Sequence, residues 1–407
     1  MSKRLILLFL SLFTLNVSAQ YGPALNKDGS VVTGVLTARF DPSNSVVPFP
    51  SNLLFTGTTD LTLNIPAADP TDYGDPTVAL DALDGFSTTE KWVTGFVDAN
   101  GQPGAIDPAS VVPGQSVRVF EVTTQQFVAV TSIVRELTPG LDYLALASGS
   151  NVVILPLRPL HEYTAYMAVL TNGIRDTAGN DATPDTTYFL TKRRTPWIDA
   201  NGHSTYSLVD DATAQTLEPL RQVTQSMELN AAAYAGIDPD DIILSWTVQT
   251  ESITPTLKRL RAAAQPAPTT IVPTGMTTAR EVGVPGIADI EIGIITLPYY
   301  LGIPTPENPT AALTGFWKAA PGAYVPPFDQ YGLDPTSTNI TVANPMPVMT
   351  GMQTVPLLVT VPNANSGHTK PAGGWPVVIF GHGITRNRTD LLGIAETLAS
   401  IGYAAVA

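Results

Sequence analysis

The stretch "WPVVIFGHGITRNRTDLLGIAETLASIGYAAVA", from Trp375 to Ala407, constrains the fold more than any other part of this chain. Val377 to Phe380 is an unbroken run of β-branched and aromatic residues. Such a run predicts a parallel-sheet strand buried on both faces. Gly381, His382 and Gly383 follow at once, and glycine permits backbone paths that side chains block. Leu391, Ile394, Ala395, Leu398 and Ile401 then recur on one helical face. Asn387 or Thr389 is placed to cap that helix, and Gly402 ends it before "YAAVA" returns as a strand. The pattern is β–turn–α–β, parallel and right-handed.

Upstream the signal is different. With only 14% charged residues but 36 prolines and 32 glycines, the chain favours strands and loops over a helical bundle. "SVVTGVLTARF" and "SVRVFEV" are short runs between turn signals. "DYLALASGSNVVILPL" breaks at Gly149 as a hairpin would. In "HEYTAYMAVLTNG", Tyr163, Ala165, Met167 and Val169 fall on one face, and Thr164, Tyr166 and Ala168 on the other. Short strands at this spacing predict a sandwich. From Asp210 the period becomes helical, with Leu217, Leu220, Val223, Met227 and Ala231 on one side and Gly236 as C-cap. "DIILSWTVQT" predicts a buried strand. "TPTLKRLRAAA" predicts a helix with Thr254 as N-cap and Pro255 at the first helical position. A further strand is expected over Ile287 to Leu297, and another in "TVPLLVTVPN".

The first residues read as a targeting segment: Lys3 and Arg4, an apolar core from Leu5 to Leu15, and small residues at Val17 to Ala19. The apolar core is too short to span a bilayer comfortably, and no transmembrane segment is expected after cleavage. The chain has no cysteine, which excludes disulfides and a cysteine-borne lipid anchor. Loss of two of 21 basic residues and none of 35 acids takes the net charge from −14 to about −16, a balance that argues against nucleic acid as a partner.

A glycine-rich turn at the carboxyl end of a strand exposes backbone N–H groups. In acyl transfer such groups stabilise the oxyanion, at roughly 3 kcal/mol per donor. The segment from Pro376 to Ala407 resembles the opening of an α/β-hydrolase of the bacterial lipase and esterase type. "RFDPSNSVVPFPSNLLF", "LSWTVQTES" and "GIITLPYYLGIP" resemble the N-terminal region of the bacterial virulence-factor lipases, and "LRPLHEYTAYMAVLTNGIRDTAGN" looks like an Ig-like module. The resemblance implies an ester hydrolase with a lipid substrate and no cofactor. It implies that Ile384 and Gly383 form the oxyanion corner and that His382 orients the loop. It also implies a Gly-x-Ser-x-Gly elbow, an acid and a histidine, in that order. "GQS" at Gly114 and "GHS" at Gly202 lack the second glycine, so the nucleophile, acid and base are expected beyond Ala407 and the chain is expected to be inactive alone.

The expected fold class is therefore mixed. Residues 1–19 are a signal peptide and 20–195 a β-rich region with an Ig-like sandwich. Residues 196–353 form a helical and β connecting region. Residues 354–407 are the start of an incomplete α/β-hydrolase domain, with Tyr403 to Ala407 as an unpaired edge. The alternative is a non-enzymatic secreted β-module that binds a surface glycan or protein. No metal is expected. His161 and Glu162, as neighbours on a strand, point to opposite faces. His203 and His368 lie in polar turns. Asp176, Asn180, Asp181 and Asp185 suit Asx turns rather than Ca²⁺. Lys192, Arg193 and Arg194 read as a solvated face, and the aromatics of "LPYYLGIP" and "GFWKAAPGAYVPPF" as packing residues.

Overall fold

The computed structural model describes residues 24–407 apart from Thr71, Tyr73, Gln126 and residues 280–284. The proposed targeting segment lies outside the described residues. Among the described residues the chain is mixed and β-rich, with three sheets and few helices. It divides into two units: residues 1–258 with 321–345, and residues 259–320 with 346–407.

In the first unit the strands are β1 (Leu36–Ala38), β2 (Trp92–Val97), β3 (Val117–Gln125), β4 (Ala129–Glu136), β5 (Tyr143–Ser148), β6 (Asn151–Pro156), β7 (Ala165–Thr171), β8 (Ala182–Pro184) and β9 (Ile242–Gln249). They form two sheets, ordered β5-β6-β2-β1-β8 and β4-β3-β7-β9. The helices are α1 (Pro76–Asp81), α2 (Thr186–Thr191), α3 (Asp211–Ala235) and the start of α4 (Thr254–Ala263).

β7 shows how the layers are specified. Its alternate residues Tyr166, Ala168 and Leu170 share a core with Trp92, Phe96 and Ile154 of the other sheet. Ala165, Met167 and Val169 instead meet Met227 and Ala231 of α3. One face thus packs on a sheet and the other on a helix, so the strand is apolar on both sides. The β5–β6 hairpin turns at Gly149, φ +60°, with Ser148 opposite Asn151. That is the glycine position of a two-residue primed turn. Asp210 caps α3 by accepting from Thr213 N at 2.8 Å, and Gly236, φ +65°, closes its other end. α3 runs through Pro219, which removes one i→i−4 hydrogen bond.

The structure corrects two local expectations here. His161 and Glu162 precede β7 in a turn rather than lying on a strand. Thr254 is the first residue of α4, and the cap is remote: the Glu162 carboxylate accepts from Ile253 N at 2.7 Å and Thr254 N at 2.6 Å. It satisfies two of the amides that a helix start leaves without partners.

In the second unit, β10 (Thr269–Thr277), β11 (Ala288–Tyr299), β12 (Gly351–Pro362), β13 (Val377–Ile379) and β14 (Ala404–Val406) form one sheet, ordered β10-β11-β12-β14-β13. β11 and β12 pair antiparallel along their whole length, from Ala288 opposite Pro362 to Tyr299 opposite Gly351. The helix α5 (Leu392–Ala399) connects β13 to β14, which are parallel. Ile290, Leu358, Leu391 and Ala405 make the core.

The strand order overturns two expectations. β14 is not an edge, because β12 and β13 flank it. β13 is the edge, and its side chains are not buried on both faces: Val377 and Ile379 are exposed, Ile379 to 85%. The helical face is likewise only partly covered, with Leu391 and Ala395 buried but Ile394 and Ile401 exposed.

Candidate functional site

The parallel pair β13–β14 holds the start of the glycine-rich turn. Phe380 N donates to Val406 O at 2.8 Å, and the chain leaves the sheet at Gly381. Arg386 N donates to Gly383 O at 3.1 Å and closes a four-residue turn. Thr385, at its third position, has φ +65°. The type II turn requires this left-handed corner, and a β-branched residue is strained there. His382 Nδ1 lies 2.9 Å from Gly383 O, so the ring donates into its own turn. Among the described residues, the amides of Gly381 to Thr385 have no hydrogen-bond partner, and Ile384 is 94% exposed. The structure thus presents Ile384, Gly383 and His382 on one open bend at the carboxyl end of β13.

The far side of the bend is anchored to the helix. Asn387 caps the 3₁₀ turn Arg388–Leu391 by accepting from Thr389 N at 2.9 Å. Arg386 forks onto Asp390 at 2.8 and 2.9 Å, and this guanidinium holds the Asp390 carboxyl below the usual carboxylate range. Two further anchors were not evident from the sequence. Glu396 of α5 accepts from Gly286 N at 3.1 Å, Ile287 N at 3.0 Å and the Thr278 hydroxyl, tying the helix to the segment that leads into β11. His368 Nε2 donates to Ser400 O at 2.8 Å and packs beside Gly402.

The other charged candidates have structural partners. Asp176 Oδ1 accepts from Ala178 N and Asn180 N, which is an Asx turn. Asp181 pairs with Arg175 at 3.1 Å. Asp185 caps α2 through Thr187 N. Among the described residues no group of three acidic or histidine side chains is arranged to hold a metal. His203 Nδ1 lies 2.8 Å from Asp211 Oδ2, whose charge raises the imidazole pKa. Lys192 is a correction: it is not on a solvated face. Its Nζ is largely buried and donates to Glu228 Oε1, Pro239 O and Ile242 O. Burial raises the Glu228 carboxyl pKa, and the Lys192 charge opposes that rise. Tyr300 and Trp317 pack against one another, with ring centroids 5.8 Å apart.

Residues 36–279, more than half of the chain, match the family described as bacterial virulence factor lipase N-terminal. The chain belongs to that family. The bend at residues 381–385 lies outside the matched range. No curated protein matches the chain. The N-terminal part of the bacterial S-layer protein SbsC, a crystal structure, is similar over 51% of this chain at 12% identity and a TM-score of 0.16. The match covers 38% of that structure's own chain.

Proposed function

We propose that this chain is the N-terminal portion of a secreted bacterial carboxylic ester hydrolase acting on lipids. In this proposal the bend after β13 is its oxyanion corner. One observation carries it: a parallel β–α–β unit whose first strand ends in five consecutive amides without partners among the described residues. Ligands of open α/β sheets sit outside the carboxyl ends of the strands, where this bend lies. The Ile384 N–H meets the developing oxyanion, Gly383 gives the turn its path, and His382 holds the bend in shape.

The serine, acid and base of such an enzyme come from outside residues 1–407, since the sequence has no Gly-x-Ser-x-Gly elbow. In this scheme residues 354–407 open the hydrolase domain. The paired sheets of the first unit are its leading, Ig-like part, and residues 1–19 direct export. Membership of a lipase N-terminal family supports the substrate class.

Hydrolysis of p-nitrophenyl butyrate is the test. The complete gene product turns the ester over, and the 407-residue chain does not. Turnover by the 407-residue chain, or none by the complete product, overturns the proposal.

A further inference from the structure

Three stretches distant in sequence close around one cavity of about 790 Å³ in the first unit. Its walls are Phe55, Leu61, Phe127, Val128, Tyr331 and Leu333. The remaining described lining residues are threonines and glycines, with no Asp, Glu, Lys or Arg among them. The volume falls in the range of small-molecule sites, roughly 300–1,000 Å³.

The walls are fastened to each other. Asp334 N donates to Thr59 O at 2.9 Å, and Asp60 Oδ2 accepts from Ser337 Oγ at 2.6 Å and Asn339 Nδ2 at 3.0 Å. Asn52, fully buried, donates to Phe127 O at 2.6 Å while its Oδ1 accepts from Gln249 N. Two wall residues, Leu61 and Phe127, have φ of +69° and +66°. Bulky side chains rarely adopt this conformation, and such strain gathers where ligands are held.

The lining also selects the ligand. A wall without ionic groups offers a charged ligand no compensation for its lost hydration. Phe55 and Phe127 stack on each other at 4.5 Å and 17°, so each already uses one ring face. Tyr331 lies edge-on to Phe328. What remains is aliphatic: Leu61, Val128, Leu333 and the threonine methyls. We infer that this cavity binds a single uncharged alkyl chain, such as a lipid acyl group or a fatty alcohol carries. The cavity is built from the first unit and the bend after β13 from the second, so the inference shares no residue with the ester-hydrolase proposal and stands or falls independently of it.

The test uses the 407-residue chain and a series of n-alkanols from hexanol to dodecanol, titrated by calorimetry. Saturable one-to-one binding is expected, tightening about fourfold per added methylene. Lauric acid at neutral pH and methyl laurate separate the free acid from the ester as the source of the chain; the ester is expected to bind at least as tightly. Leu333→Glu, checked for fold by circular dichroism, is expected to weaken dodecanol binding more than tenfold. Ile379→Lys, on the edge strand of the second unit, leaves it unchanged. If Leu333→Glu does not fold, Tyr331→Ala at the exposed mouth decides, with about a fivefold loss supporting the site and no loss overturning it. Non-saturable binding, affinity independent of chain length, tighter binding of 2-naphthol than of decanol, or full binding by folded Leu333→Glu overturns the inference.

Discussion

Glu218 ties α3 to the segment before it, and its replacement has a calculable pH signature. The carboxylate takes a fork from Arg221, Nε at 2.8 Å and Nη2 at 2.7 Å, together with Trp197 N at 2.7 Å and Gln222 Nε2 at 3.0 Å. Residue 218 is 5% exposed. The Arg221 bonds lead in lowering its pKa from 4.5 to about 2, against the opposing effect of burial. At about 1.36 kcal/mol per pH unit this is worth roughly 3 kcal/mol when both folded and unfolded chains are ionised. A lowered carboxyl pKa gives stability that is present above pH ~4.5 and is lost as pH falls towards ~2. Glu218→Gln imitates the protonated acid. The variant should lose roughly 3 kcal/mol at pH 7 and only about 1.4 kcal/mol at pH 3. Urea unfolding followed by tryptophan fluorescence reads this, because Trp197 is buried in the same cluster. A deficit that stays constant between pH 7 and pH 3 refutes the linkage. A deficit below about 0.5 kcal/mol at pH 7 would show that the ion pair gains nothing over its neutral replacement.

Other perturbations give equally definite outcomes. Glu396→Ala strips the acceptor from Thr278, Gly286 and Ile287; it should cost about 2–4 kcal/mol and speed hydrogen exchange at residues 286–287 and in α5. Asp84 is buried, accepting from Ser252 and Val342, and burial raises its pKa. A raised carboxyl pKa removes stability as pH rises past the ordinary carboxylate range, so Asp84→Asn should gain on the parent chain between pH 4 and pH 7 in urea midpoints. Ile379→Lys places a charge on the exposed edge β13 and should slow aggregation, read by light scattering, with an unchanged Tm.

Features written in neighbouring residues were legible beforehand. Gly149 marked the β5–β6 hairpin, Gly236 marked the end of α3, and Asn387 was one of two residues named for the cap before α5. The alternation assigned the residues of β7 to its two faces, but the helix that buries the second face was not foreseen. What escaped the sequence was set by partners far along the chain. The exposed character of β13 depends on β14 inserting beside β12, which a four-residue apolar run does not encode. Lys192 is buried because Glu228 and the carbonyls of Pro239 and Ile242 converge on it, 36 to 50 residues away. The Glu162 cap on α4 spans about 92 residues and the Glu396 anchor about 110. At the candidate site the glycine-rich turn after β13 was legible, while the left-handed Thr385 was hidden because threonine is a poor choice for that corner.

The oxyanion assignment has its most direct test in Ile384→Pro, which deletes a single N–H in the complete gene product. With the fold verified, kcat for p-nitrophenyl butyrate should fall about 10²–10³-fold with KM little changed. An unchanged kcat contradicts the assignment.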